Sequence, residues 1–164
     1  MKKRHKVMLD TTYLMPLFGI ETEKFSASQL QILLGQRNLD LFYSPVSLVE
    51  LKWIILKQIK KVNNIFKKTL LSRYNEALWY LLYGEYFYEL PLIDPRINSL
   101  EDMLRDLGLN DYFDRIIFAA ALEYCDILLT EDTEIHDVWL SQKEKLTDKE
   151  FHVLNWMEFK QFLL

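Results

Sequence analysis

Short apolar runs alternate along the chain with longer segments in which apolar residues recur at helical spacing. The runs that predict strands cover 7–9, 39–43, 86–90, 127–129 and 151–154, and each is followed by a polar residue or a proline. Because strands separated by helices form a parallel sheet covered on both faces, the pattern predicts an α/β fold. We expect a central parallel sheet of four to five strands.

A long pair of helices is predicted after the second strand. Ser44 and Pro45 mark the start of the first helix, since serine is a frequent cap and proline suits the first helical position. Its apolar residues from Leu48 to Val62 keep a helical period. The second helix is predicted over 66–83 and ends at Gly84.

Other segments between the strands also carry helix signals. A helix that contains Pro16 is expected directly after Asp10, with Thr11 or Thr12 as its cap. Asn110 is the predicted cap of a helix whose apolar stripe runs from Phe113 to Tyr124. Further helices are predicted over 28–36, 99–107 and 156–164.

Length and composition limit the classes of protein to consider. We expect a single domain over residues 1–164, half of whose residues are apolar. Cys125 is the only cysteine, which excludes an intramolecular disulfide and favours a reducing compartment. No run approaches the roughly 18 apolar residues of a membrane span, and the apolar run after the basic start 1–6 is too short for a signal peptide. We therefore expect a cytoplasmic protein with no membrane partner.

The net charge of −4 is unevenly distributed along the chain. Segment 51–75 contains basic residues and no acid, whereas acids outnumber bases in segment 94–150. A cationic segment beside an acidic region is typical of proteins that handle a polyanion near a metal ion. Charge alone fits solvated helix faces equally well.

Four acidic residues occupy positions at which α/β sheets bind ligands. Asp10 and Asp132 follow predicted strands, whereas Glu50 and Asp114 lie early in predicted helices. Asp111, three residues before Asp114, shares its helical face. Because ligands collect at the carboxyl ends of parallel strands, these carboxylates converge if their strands are neighbours. Taken singly, each acid is also explained as a cap or an exposed helix residue.

A cluster of carboxylates repels itself unless a cation neutralises it. An all-oxygen site without histidine suits a hard ion, Mg²⁺ or Mn²⁺, which keeps several of its waters. Such an ion polarises a phosphate oxygen and lowers the pKa of a bound water, which is the chemistry of phosphodiester hydrolysis. The chain has neither a Gly-x-Gly-x-x-Gly motif nor a Walker lysine loop, so dinucleotide-binding and NTPase classes have no support.

Four short motifs resemble, in the same order, the motifs of the PIN-domain family. They read Val-Met-Leu-Asp-Thr-Thr from Val7, Pro-Val-Ser-Leu-Val-Glu-Leu from Pro45, Asp-Arg-Ile-Ile-Phe-Ala-Ala-Ala-Leu from Asp114, and Ile-Leu-Leu-Thr-Glu-Asp from Ile127. The resemblance covers nearly the whole chain. Within the family, the chain resembles most the small prokaryotic members that include the VapC toxins. The resemblance implies a three-layer α/β/α fold. Segment 51–88 is longer than in the minimal toxins and is expected to form a long helical hairpin insertion.

The resemblance also implies a metal-dependent endoribonuclease, commonly a homodimer. By position, Asp10, Asp114 and Asp132 match metal ligands, direct or through water. Glu50 matches a residue that binds metal through water or orients the attacking water. Four supporting positions stand beside these catalytic acids: Thr11, Thr12, Asp111 and Thr130. Arg115 and Phe118 depart from the family pattern, which usually has alanine there.

The lysines that follow Glu50 in the same predicted helix are candidate RNA-binding residues: Lys52, Lys57, Lys60 and Lys61. Lysine binds phosphate without regard to base sequence, so these residues are expected to guide RNA toward the acidic cleft. A solvated helix face is one alternative, and contact with an acidic antitoxin is another.

Three functional hypotheses remain at this point. The first is an active PIN ribonuclease acting on RNA, either the toxin of a toxin–antitoxin pair or a solitary RNA-processing enzyme. The second is a catalytically idle PIN fold that serves as an RNA-binding or assembly module. The third is another metal-dependent phosphohydrolase on an α/β sheet.

Overall fold

The central sheet has five parallel strands in a computed structural model that describes residues 4–163. The strands are β1 (His5–Leu9), β2 (Leu39–Tyr43), β3 (Phe87–Glu89), β4 (Ile127–Leu129) and β5 (His152–Leu154). Their order across the sheet is β3-β2-β1-β4-β5, and every neighbouring pair is parallel. The first strand is therefore central, with the fourth beside it.

Helices connect consecutive strands, as parallel pairing requires. They are α1 (Thr11–Leu14), α2 (Ala27–Leu34), α3 (Pro45–Ile59), α4 (Asn64–Tyr83), α5 (Pro95–Asp106), α6 (Tyr112–Tyr124), α7 (Thr133–Leu146) and α8 (Trp156–Phe162). A 3₁₀ turn, Met15–Phe18, continues α1. No helix within residues 4–163 is both long enough and apolar enough to cross a membrane.

Two hydrophobic clusters pack on opposite faces of the sheet. Val7 and Leu9 of β1 belong to a cluster with residues of α1, α2, α3, α4 and α8. Met8, between them, belongs to the second cluster, which is built mainly from α5, α6 and α7. Because both faces are covered, β1 is apolar throughout rather than alternating. The predicted three-layer α/β/α fold is confirmed, and α3 with α4 forms the predicted long helical hairpin.

Several predicted helix starts are displaced by a residue or more. Asp10, not Thr11 or Thr12, caps α1, and Asp111, not Asn110, caps α6. Pro16 lies in the 3₁₀ turn, where its missing N–H needs no helical partner. The predicted helix 99–107 begins four residues earlier, at Pro95, because Asp94 caps it. Leu164, the predicted end of the last helix, and residues 1–3 of the basic start lie outside the described residues.

The sequence pattern did not predict α7. Only Ile135 and Leu146 are buried along its 14 residues, so the helix lacks a clear apolar stripe. Its start is nevertheless a regular one, because Asp132 caps it and Glu134 lies in the first turn. The sequence offered Asp132 as a metal ligand or a cap, but without an apolar stripe the helix that follows it was not predicted.

Candidate active site

An acidic cleft of about 210 Å³ opens at the carboxyl ends of β1 and β4. Ten residues line it: Asp10, Thr11, Thr12, Met15, Lys24, Glu50, Asp111, Asp114, Glu131 and Asp132. The parallel pairing of Leu9 with Leu129 brings the residues that follow these two strands side by side. All four acids that the sequence singled out therefore line one cleft, although they come from four separate segments.

Asp10 lies at the floor of the cleft and is only 7% exposed. Its Oδ1 accepts a hydrogen bond from the backbone N–H of Thr11 at 2.6 Å, and its Oδ2 accepts one from Thr130 Oγ1 at 2.6 Å. Burial raises the pKa of Asp10 to about 6, against the two hydrogen bonds, which favour the charged form. The nearby Glu50 and Asp132 carboxylates raise this pKa further.

Thr130 connects two acids of the cleft. While its hydroxyl donates to Asp10, the same oxygen accepts a hydrogen bond from the backbone N–H of Asp132 at 3.1 Å. Asp132 in turn caps α7 by accepting from the N–H of Ile135 at 3.0 Å. One buried side chain therefore fixes the spacing between the ends of β1 and β4.

The start of α6 supplies two further carboxylates. Asp111 Oδ1 accepts hydrogen bonds from the backbone N–H groups of Phe113 at 2.8 Å and Asp114 at 3.2 Å, which orients the first turn. Asp114 is half-buried, and burial raises its pKa to about 8. The carboxylates of Asp10, Asp111, Asp132 and Glu50 contribute to this increase, in that order. At neutral pH the cleft thus holds more acid groups than it can ionise without a cation.

Glu50 reaches the cleft from α3. Ser44 caps this helix by accepting from the N–H of Val46, and Pro45 is its first residue, as predicted. Glu50 is half-buried one turn further along. Its carboxylate is close enough to raise the pKa values of both Asp10 and Asp114.

Comparison with family models identifies the fold directly. The model of the PIN domain family matches residues 7–139. The chain belongs to this family. The matched segment contains every acid described above, including Asp111, Asp114 and Asp132.

Two solved structures of bacterial proteins have a similar fold. VapBC2 from Rickettsia felis bound to a DNA fragment from their promoter has a TM-score of 0.57 and 16% identity, covering 92% of this chain and 98% of that chain. FitAcB from Neisseria gonorrhoeae has a TM-score of 0.59 and 16% identity, covering 91% and 96%. The identity is low, so this likeness concerns the fold alone. A comparison with curated proteins finds no significant match.

The donor atoms of this PIN domain suit a hard divalent cation, since the cleft offers carboxylate and hydroxyl oxygens. Thr11 Oγ1 is buried at the cleft and has no hydrogen-bond partner in the described part of the chain. As placed, however, no three acidic, histidine or cysteine side chains within residues 4–163 converge closely enough to hold an ion. A divalent cation would neutralise the carboxylates of the cleft, whose like charges repel one another.

Glu131 and Lys24 line the cleft of the PIN domain, although the sequence pattern did not predict them as site residues. The Glu131 carboxylate accepts hydrogen bonds from Tyr13 Oη and from the backbone N–H of Trp156, the latter at 2.8 Å. Glu131 thereby joins the loop after β4 to α1 and α8. Its position between Thr130 and Asp132 was the available signal, whereas nothing near Lys24 in the sequence indicates the cleft.

The candidate RNA-binding lysines lie outside the cleft lining. Lys57 Nζ lies 3.2 Å from the ring centroid of Trp53, and by helical spacing Lys57 shares the face of Glu50. Lys52 instead turns toward α4, where its Nζ lies 4.2 Å from the ring centroid of Tyr74. Lys60 and Lys61 are exposed at the end of α3. Lys52 therefore faces α4, whereas the other three candidate lysines are exposed to solvent.

Arg115 and Phe118, which depart from the family pattern, serve the packing of α6. Arg115 forms a buried ion pair with Glu101 at 2.5 Å and donates to the carbonyls of Leu109 at 2.9 Å and Asn110 at 2.6 Å. These contacts fix the loop that precedes Asp111. Phe118 is fully buried in the second cluster.

Proposed function

We propose that this PIN domain is a metal-dependent endoribonuclease that uses Mg²⁺ or Mn²⁺. The observation that carries the proposal is the acidic cleft, in which burial, together with the carboxylates of Glu50 and Asp132, raises the pKa values of Asp10 and Asp114. Such uncompensated negative charge is characteristic of a site built for a cation. A bound ion polarises a phosphate oxygen and lowers the pKa of a bound water.

In this proposal the acids have distinct roles. Asp10, Asp114 and Asp132 would hold the ion, directly or through water, because the carboxylates of all three line the cleft. Glu50 orients the attacking water from α3 or binds the ion through water. Asp111 holds the first turn of α6 in place through its two backbone hydrogen bonds.

The threonines support these carboxylates. Thr130 presents Asp10 through the 2.6 Å hydrogen bond. The unpartnered hydroxyl of Thr11 and the half-buried Thr12 line the same cleft and supply further oxygens for a carboxylate or a phosphate.

RNA is the proposed substrate because a cationic surface adjoins the acidic cleft along the same helix as Glu50. Lys57, Lys60 and Lys61 are exposed there, and no acid occurs in segment 51–75. Lys52 contributes charge beside Tyr74 rather than on the face of Glu50. Phosphate contacts of this kind bring a strand to the metal site without selecting its sequence.

A partner protein and a homodimer belong to the same proposal. The folds of VapBC2 and FitAcB are similar to the fold of this chain, which supports an antitoxin-like partner. Light scattering on the purified protein, alone and with the product of any adjacent short reading frame, tests both assemblies.

A covalently closed circular RNA tests endonuclease activity, since only internal cleavage linearises it. We expect linear product with Mg²⁺ or Mn²⁺, none with EDTA, and none from circular single-stranded DNA of the same sequence. Cleavage that persists in EDTA contradicts the metal-dependent proposal. RNA binding without any cleavage in either ion supports the catalytically idle PIN module instead.

A further inference from the structure

Lys24 is the one cation among the described residues that line the acidic cleft. All other charged side chains of that lining are carboxylates. A polyanionic strand that enters such a cleft is repelled except where a cation meets it. A cation bound by the carboxylates would neutralise the phosphate that is cut, but the neighbouring phosphates would require positive charge of their own.

The backbone around Lys24 is firmly anchored. Thr22 Oγ1 donates to the carbonyl of Phe25 at 2.9 Å and accepts from the N–H of Phe25 at 3.0 Å, which closes a tight turn around Lys24. Phe25 is fully buried, with ring centroids 4.5 Å from Tyr13 and 5.1 Å from Trp156. The lysine therefore extends from a fixed point on the cleft wall, while its side chain stays exposed.

The ammonium group of Lys24 keeps donors available. Its Nζ donates to the carbonyl oxygen of Glu131 at 3.3 Å, which uses one of three N–H groups. The Glu131 carboxylate is already engaged by Tyr13 and Trp156. Within residues 4–163 no carboxylate forms an ion pair with Lys24. A charge that is positioned but not neutralised is suited to bind an anion from outside.

We propose that Lys24 forms a phosphate subsite, binding a non-bridging oxygen of an RNA phosphate next to the one that is cut. The carbonyl of Glu131 holds the ammonium group at the cleft wall, and the turn at Thr22 sets its reach. This inference rests on the proposed ribonuclease function, and it assigns substrate positioning to a residue outside the carboxylate set.

The test measures RNA binding in EDTA, where no cleavage occurs, by fluorescence anisotropy with a short single-stranded RNA. Lys24→Gln is expected to weaken binding roughly five-fold and to reduce the slope of log affinity against log salt by about 0.7, the value for one phosphate contact on a single strand. Lys24→Arg keeps the charge and is expected to bind as the wild type does. Lys160→Gln is the matched control, because Lys160 is an exposed lysine far from the cleft. It lies on α8, whose end packs against His5 and His152 at the starts of their strands, whereas the cleft lies at the strand ends.

A set of RNAs, each with one neutral methylphosphonate, identifies the phosphate. At one position the neutral linkage is expected to weaken binding to the wild type and to leave binding to Lys24→Gln unchanged. The subsite proposal is overturned if Lys24→Gln and wild type bind the unmodified RNA with equal affinity. It is also overturned if every methylphosphonate reduces the affinity of both proteins equally. Failure of the nuclease proposal is seen separately, as uncut RNA when wild-type protein is given Mg²⁺ or Mn²⁺.

Discussion

Thr130 Oγ1 donates a 2.6 Å hydrogen bond to Asp10 Oδ2 across 120 positions of sequence. The parallel pairing of β1 with β4 makes this contact possible, because Leu9 and Leu129 are in register and are the last residues of their strands. Both partners are buried, so the bond has little competition from water. The geometry of the cleft floor depends on it.

We predict that Thr130→Val weakens both folding and metal binding. Valine keeps the shape but removes the donor to Asp10 and the acceptor for the N–H of Asp132. Leaving these buried groups without partners is expected to lower the free energy of unfolding by about 1–3 kcal/mol. Urea unfolding measures this loss, and the Mn²⁺ concentration at half-maximal activity should rise. Thr69→Val, on the exposed face of α4, is the control; equal effects of the two substitutions contradict the account.

The metal-free protein should lose stability as pH rises through the acidic and neutral range. The folded pKa values of Asp10, about 6, and Asp114, about 8, exceed the unfolded value of 3.8. The folded state therefore binds more protons between these values, so the free energy of unfolding falls from about pH 4 to about pH 8 and then levels off.

Asp114→Asn removes the larger of these two effects. In EDTA at about pH 9, we expect the variant to be more stable than the wild type by about 2 kcal/mol, a figure reduced because the carboxyl is partly exposed to solvent. Near pH 4 the two proteins should unfold at the same urea concentration. Asp137→Asn, an exposed position on α7, should show no such pH-dependent gain. A stability difference that is constant with pH counts against the assigned cause.

Arg115 is predicted to be a major contributor to stability. Its pairing with Glu101 is buried, each side chain being 11% exposed, and Arg115→Ala leaves the Glu101 carboxylate unpaired. We expect the free energy of unfolding to fall by about 3–5 kcal/mol. Arg105→Ala removes exposed ion pairs with Asp102 and Asp106 and should change it by less than about 1 kcal/mol. Similar urea midpoints for the two variants rule out this role.

The cationic end of α3 is predicted to contribute to RNA affinity. Changing Lys57, Lys60 and Lys61 to glutamine should weaken binding and flatten its salt dependence, by about 0.7 in slope for each RNA phosphate that a lysine no longer neutralises. Metal binding, measured by calorimetry, should not change because none of the three lines the cleft. The matched control changes Lys143, Lys145 and Lys160, which lie on α7 and α8. An unchanged salt slope in the first variant shows that this surface does not bind RNA.

Much of the fold follows from local pattern, because apolar runs ending at Asp10, Ser44 and Thr130 define strands whatever their partners are. The sequence does not specify strand order directly, and the meeting of Asp10 with Thr130 depends on that order. The predicted caps of α1 and α6 lie one or two residues from the observed ones, because the side chains of Asp10 and Asp111 accept hydrogen bonds from the backbone N–H groups instead.

The parts of the cleft that the sequence did not reveal depend on tertiary contacts. Lys24 lies at the cleft because the adjacent Phe25 is buried against Tyr13 of α1 and Trp156 of α8. Glu131 has its partners on α1 and α8, at separations that no local motif records. The acids were found because each follows a strand or begins a helix, and that position is visible in the sequence.

The most direct measurement of the central claim is the single-turnover cleavage rate of one RNA by three proteins with Mn²⁺: wild type, Asp114→Asn and Asp137→Asn. The asparagine at position 114 keeps the shape of the cleft but removes a charge that holds the cation. Wild type and Asp137→Asn should cleave at the same rate, and Asp114→Asn should be slower by about a hundredfold or more, a loss of about 3 kcal/mol or more in transition-state stabilisation. Equal rates for all three proteins, on material free of contaminating nuclease, would contradict the assignment of catalysis to this cleft.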